Sequence, residues 1–354
     1  VAHVANVVIA SSQVSEDLTN FPAYIRLSDL PAAFWSAVAN GGGGGDIRCY
    51  SADGTTELAR EVVSCDTTTD TGELWVLVPF VSASSDTVIQ IHADGASSDY
   101  AATATYGRNA VWADYEVVMH LESDETNSTG NTTPALFSDG QTHSAKQLGG
   151  GVTFTDSSAY RIEPITIAPP WTLQCWGSLN YTNNHSRLVG LGDASTTAGS
   201  DQYNLAIDVS NGEFELSGGA SVTSSTIVPS VSTLYMMHGV EATGGSNHKL
   251  YVNSTNIIDD SAPITWSSGL DRMAVGGSAD ASFFGPQPVS VDEARLRFDE
   301  LSAAWIDAEY TNQSAPTTFY TTEAPAASSA PTLTLPTVTN ITVNGATLGC
   351  TVTY

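Results

Sequence analysis

Positive charge is what this chain has least of. Its 354 residues hold 11 Lys and Arg against 38 Asp and Glu, a formal net charge of −27, and Lys146 and Lys249 are the only lysines. A surface of that sign repels a phosphate backbone, because nucleic-acid affinity rests on cations displacing counterions. It disfavours anionic membrane surfaces for the same reason. Long apolar runs are missing too: none approaches the ~20 residues that cross a bilayer, so no membrane insertion is expected. Cysteine is sparse, and Cys49, Cys65, Cys175 and Cys350 show neither C-x-x-C spacing nor clustered histidines for a zinc site. Cys49 and Cys65 lie in strand-like stretches and could pair; the alternative is four buried free thiols. The opening Val1-Ala2-His3-Val4 carries no basic and apolar export signal, which leads us to expect either a trimmed leader or a chain that leaves the cytoplasm inside an assembled particle.

What is present is apolar and aromatic: 41% of residues are hydrophobic and seven are Trp, which rules out a disordered acidic tail. Apolar and polar residues alternate through Val4–Ile9, Ala23–Leu27, Leu74–Val78 and Thr87–Ile91, with Gly- and Asp-rich turns between them. A period of two with closely spaced turns predicts an all-β protein of two antiparallel β-sandwiches. Two short capping helices interrupt it. One follows a Ser28 or Asp29 cap and Pro31; the other, capped by Asp299, carries Leu301, Trp305 and Ala308 at helical spacing. The expected organisation is an N-terminal sandwich over 1–103, a second sandwich over 104–322, a Pro/Ala/Ser linker over 323–331 and, over 332–354, a β-hairpin around Asn344-Gly345 or the start of an immunoglobulin-like module.

The stretches LTNFPAYIRLSDL, GGDIRCYSADGTTELAREVVSC, GELWVLVPF and VWADYEVVMHLES resemble an uncharacterised β-sandwich family of bacterial surface proteins and phage structural proteins. In that family the block runs into a laminin-G-like, concanavalin A-like lectin/glucanase domain. Here PWTLQCWGSLN, RLVGLGD, HKLYVNSTNIID and VDEARLRFDELSAAWIDAEYTNQ are similar to its strands and closing helix, with Ser254 where the family has Gly. The resemblance implies a concanavalin A-like jelly roll for the second sandwich. It also implies a phage virion surface protein, a fibre, spike or decoration, with an adhesive or host-glycan-binding role. The expected partners are other virion proteins or further copies of the chain in an oligomer. A secreted bacterial adhesin or carbohydrate-binding module is the alternative, and a glycoside hydrolase with an unfamiliar site is the third reading.

Non-enzymatic function is expected from the residues themselves. A retaining glycosidase needs two carboxyl groups about 5–5.5 Å apart, and the Glu-x-Asp-x-Glu strand that supplies them in glucanases is absent. Glu213-Phe214-Glu215 has no third acid. Asp292-Glu293, being adjacent, should point to opposite sides of a strand. His120 and His238 sit between apolar residues and read as strand histidines bonded to backbone. The remaining acids read as solvated exterior. No cofactor is required, although a structural calcium held by Asp193 and Asp292 is an alternative suggested by the resemblance. A sugar would find its aromatic and amide contacts in Tyr181, Asn183, Asn184, His185 and Arg187, with Tyr203 and Trp266 as neighbours.

Overall fold

A computed structural model describes residues 2–39, 41–123, 126–136, 141–155, 159–179, 186–193, 202–208, 213–218, 221–245, 247–261, 269–277, 279, 288–325, 332–342 and 345–353. The chain is all-β with short helices, and it divides into a compact unit over Val1–Glu323 and a second over Ala324–Tyr354. In the second unit, Thr332–Thr342 pairs antiparallel with Gly345–Thr353 as a two-stranded hairpin.

Two sandwiches build the first unit. The N-terminal one faces a five-stranded sheet, including Ala2–Ile9, Thr87–Ala93 and Arg48–Ser51, against a three-stranded sheet of Leu18–Arg26, Thr71–Val81 and Arg60–Asp66. Alternation sets which side chains enter: Ile89, Ile91 and Ala93 are buried while Val88, Gln90 and His92 between them are only partly covered. The second sandwich faces an eight-stranded sheet centred on Val289–Arg297 and Trp171–Leu179 against a seven-stranded one centred on Ser186–Gly192. Its core is apolar throughout, from Val117 and Met119 to Leu191, Tyr203, Leu205 and Leu296.

The N-terminal core draws residues from both sides of residue 103. Helix Ala303–Ser314 and strand Tyr320–Glu323 return to the N-terminal sandwich. There Leu301, Trp305, Ile306 and Phe319 join its core, and Thr321 to Glu323 pair with Val8 to Asn6. The helix begins later than expected because Ser302, not Asp299, caps it by accepting from Trp305 N. Asp299 instead receives the Arg297 guanidinium. Asn312 then clamps Tyr24 of the N-terminal sandwich, donating to its carbonyl at 2.8 Å and accepting from its N–H at 2.7 Å.

This return covers the outer face of the eight-stranded sheet. All nine residues of Trp171–Leu179 and of Val289–Arg297 are buried, as befits strands covered on both sides. Their inner side chains, such as Leu173, Cys175, Val291 and Leu296, enter the second sandwich core. The outer ones, such as Gln174, Trp176 and Arg295, are sealed at the junction with Tyr24, Trp75, Trp112 and Tyr115. Cys49, Cys65 and Cys175 are free thiols, so the Cys49–Cys65 pairing does not occur.

Candidate functional site

The junction holds a buried ionic network centred on His120. Its Nδ1 lies 2.7 Å from Glu293 Oε1 and 3.6 Å from Glu73 Oε1, and its Nε2 lies 3.0 Å from Glu61 Oε2. Glu61 also accepts from Trp112 Nε1 at 2.5 Å and from Ser128 Oγ at 2.6 Å. Glu73 Oε1 accepts from Trp75 Nε1 at 2.7 Å. Arg295 bridges Glu293 and Glu309, donating through Nη1 to Glu309 at 2.8 Å, with its guanidinium 4.2 Å from the Trp75 ring centroid. Glu309 additionally meets His238 Nε2 at 3.1 Å. Both histidines are therefore partnered by carboxylates rather than by the backbone.

A bulge delivers this geometry. The register between Trp171–Leu179 and Val289–Arg297 slips between Gln174 and Trp176, opposite Glu293, whose φ is +54°. An extra residue with left-handed backbone breaks the alternation of side chains. Asp292 and Glu293 thus both reach the junction instead of opposite sides of the strand. Asp292 Oδ2 accepts from the backbone N–H groups of Gln147 and Leu148, both at 3.0 Å.

Proton affinities follow from the placement of the two buried cations. Burial pushes Glu293 upward, but His120 and Arg295 outweigh it and hold it down to about 2. Burial likewise acts against Glu61 and Glu309, and their partners win in both. His120 is disfavoured as a cation by burial, yet Glu293 and Glu61 raise it well above the ordinary imidazole range. Glu73 and Asp292 go the other way: burial, reinforced by Glu293, pushes both well above the carboxylate range. These acids are interior rather than solvated exterior.

A cavity of about 280 Å³ opens beside the network. Arg60, Glu61, His120 and Ser128 form its buried wall, and Asp99 and Ser123 its exposed edge, with Tyr100, Arg108 and Glu122 between. Arg60 is engaged by Asp99 and the carbonyls of Ile47 and Gly45. Arg108 Nε, in contrast, is buried without a hydrogen-bond partner. Tyr100 offers no open stacking face towards Arg48, whose guanidinium lies 4.2 Å from its ring centroid.

Of the residues expected to form a sugar site, Arg187 and Tyr203 are among those described. Tyr181, Asn183, Asn184, His185 and Trp266 lie outside the described residues. Arg187 is half-buried in strand Ser186–Gly192, and Tyr203 is fully buried against Trp171 in the second sandwich core, so its ring is not a surface platform. Asp193 is buried just after Ser186–Gly192, on the sheet opposite Asp292. Among the described residues, the three-residue group with metal-ligand geometry is Glu73, His120 and Glu293, which includes neither aspartate. Residue spacing carried no sign of that group.

No family model and no curated relative matches the chain, so the family resemblance rests on the sequence motifs alone. Solved structures do match it. Domain 4 of AbnA, a GH43 extracellular arabinanase from Geobacillus stearothermophilus in complex with arabinotriose, is 12% identical at a TM-score of 0.47, over 55% of this chain and 97% of that one. The Trypanosoma rangeli sialidase is 12% identical at 0.45, over 58% of this chain and 33% of that one. The botulinum neurotoxin serotype D ligand binding domain in complex with N-acetylneuraminic acid is 12% identical at 0.44, over 56% and 51%. The chain thus spans nearly all of the arabinanase domain but only a third of the sialidase. The likeness is one of β-sandwich architecture. It corrects the expectation of a non-enzymatic protein: the matched structures come from hydrolases as well as from a binding domain.

Proposed function

We propose that the protein is a saccharide-binding β-sandwich protein displayed on a surface, a phage particle in the first instance and a bacterial cell in the second, and that the junction cavity receives a sugar end group. The observation that carries this is the cavity lining. Charged and hydroxyl side chains of both donor and acceptor kind line about 280 Å³, and Arg108 Nε has no partner among the protein groups. That volume sits just under the roughly 300 Å³ lower end of small-molecule pockets, which suits a single ring. Walls made of Glu61, Asp99, Glu122, Arg60, Arg108 and Ser128 reject an apolar ligand, since its entry would leave these groups desolvated and unpaired. Acids beside arginines suit hydroxyl groups, which both donate and accept. The phage or cell-surface setting is supported by the motif resemblance and by the acidic composition, which keeps displayed copies soluble and apart.

A glycan array followed by calorimetry on the best hit tests the reading. Arg108→Ala should weaken binding about 10–150-fold, the loss of one charged hydrogen bond of about 1.5–3 kcal/mol. Equal affinity in wild type and Arg108→Ala would move the ligand elsewhere, and no hit on a broad array would reject a saccharide. A reducing-sugar assay on the same hit reports whether binding leads to cleavage.

A further inference from the structure

Behind the cavity wall, three side chains from distant parts of the chain present one ligand atom each within 4.8 Å of one another: Glu73, His120 and Glu293. Their arrangement differs from an ordinary buried ion pair in three respects. His120 is oriented as a metal-bound imidazole would be once a metal displaces its Nδ1 proton, with Nε2 held by a carboxylate at 3.0 Å while Nδ1 faces the two other acids. The holding carboxylate, Glu61, is itself fixed by Trp112 and Ser128. Such a relay sets the tautomer and ring angle of a ligating histidine.

Buried oxygens are also left bare. Glu73 is 2% exposed and its Oε2 has no hydrogen-bond partner; nor does Glu122 Oε1. Both point at Gly149, where a Cβ would stand 2.1 Å from Glu122 Oε1 and 3.2 Å from Glu73 Oε2. With φ at +117°, that position favours glycine on backbone grounds as well, and the two carboxylates close over it. An unpaired buried carboxylate oxygen is costly unless something positive meets it.

Finally, acids outnumber cations within the network. Glu61, Glu73, Asp292, Glu293 and Glu309 are buried around a single permanently charged group, Arg295, and the histidines His120 and His238. A divalent cation would let Glu73 ionise among them. It has a way in, because His120 and Glu122 both line the cavity.

We propose that Glu73, His120 Nδ1 and Glu293 bind a first-row divalent cation of the zinc class, with Glu61 as the positioning carboxylate and Glu122 in reach of the remaining coordination position. One imidazole nitrogen with carboxylate oxygens suits zinc, whereas calcium takes six to eight oxygens. Three protein ligands with a further position open is the donor pattern of zinc sites that also bind water or substrate. The assignment does not depend on what occupies the cavity.

The full chain, stripped with chelator and dialysed, should be titrated with zinc chloride and, separately, with calcium chloride, following heat of binding and melting temperature. One zinc per chain should bind saturably and raise the melting temperature, with calcium giving no rise. Glu61→Gln should weaken zinc about 10–100-fold, as loss of an outer carboxylate does. Glu73→Gln should weaken zinc at least as much while leaving the apo protein folded, because it removes a bare buried acid. The proposal is overturned if wild type shows no saturable zinc binding. Undiminished zinc binding by Glu73→Gln would do the same, by placing the metal at another histidine.

Discussion

The interior of the second sandwich and the junction between the two sandwiches are equally buried and held together differently. Inside the sandwich, Leu173, Leu191, Leu205 and Leu296 interdigitate with aromatics, and each contact is non-directional. At the junction, Trp75, Trp112 and Trp176 form an apolar frame around charges that have few alternative partners. Dispersion tolerates a slipped register; a bridge from Glu293 through Arg295 to Glu309 does not. The difference teaches why strand Val289–Arg297 carries two characters: its inner side chains fix a core, and its outer ones fix how the two sandwiches meet.

Breaking the bridge is the strongest test of that contrast. Arg295→Met leaves Glu293 and Glu309 buried without their shared cation, and removing one partner of a buried pair typically costs about 3–5 kcal/mol. Leu191→Ala in the sandwich core should cost about 2–5 kcal/mol through lost transfer energy and a residual cavity. Urea unfolding of both variants at several pH values separates the two kinds of loss. The Leu191→Ala deficit should be flat with pH. The Arg295→Met deficit should shrink in acid, where the stranded carboxylates take up protons. Parallel profiles would show that the junction behaves as another apolar core.

Much of this was readable from the sequence, and the junction was not. Strands such as Thr87–Ala93 announce themselves because alternation is local and each burial decision depends on the next residue but one. The return of Ala303–Ser314 to the N-terminal sandwich leaves no local mark, since Leu301, Trp305 and Ala308 look the same whichever core receives them. His120 and Glu293 stand 173 positions apart, and the bulge that turns Glu293 inward has no composition of its own. One signal was available. With nine arginines in the chain, two in a single nine-residue strand that also holds Asp292 and Glu293, namely Arg295 and Arg297, mark that strand's outer face as something other than solvent-exposed.

A buried acid outside the junction sharpens the comparison further. Glu241 ends strand Tyr235–Glu241 in the same eight-stranded sheet, fully buried, with neither carboxylate oxygen hydrogen-bonded and His248 Nδ1 at 3.6 Å. Burial pushes it from 4.5 up to about 8. Because the folded-state value is raised, its favourable contribution is complete below the ordinary carboxylate range and is lost as pH rises through about 8. Glu241→Gln should therefore match wild type near about pH 4 and exceed it near about pH 9, by about 1–3 kcal/mol, the cost of an unpaired buried polar group. Urea midpoints at the two pH values decide it. A deficit at the alkaline end would mean that the ionised carboxylate is paired, as the junction acids are.

Salt offers the smallest effect and the cleanest division between surface and interior. Arg48, Arg60, Arg272, Arg295 and Arg297 are buried, so a chain with only 11 cations places nearly half of them out of solvent and leaves its exposed acids with few cations beside them. Exposed charges are screened within about 10 Å at 0.1 M salt and about 3 Å at 1 M, whereas Arg295, Glu293 and Glu309 are buried and do not line the junction cavity. Raising sodium chloride across that range should lift the melting temperature of the intact protein by a few degrees, as surface repulsion weakens. The gap between wild type and Arg295→Met should stay constant meanwhile, because the Arg295 bridge does not line that cavity and sodium and chloride have no direct opening onto it. If the gap closes with salt, solvent enters the junction, and the network would have to be treated as a wet, screened interface instead of a second interior.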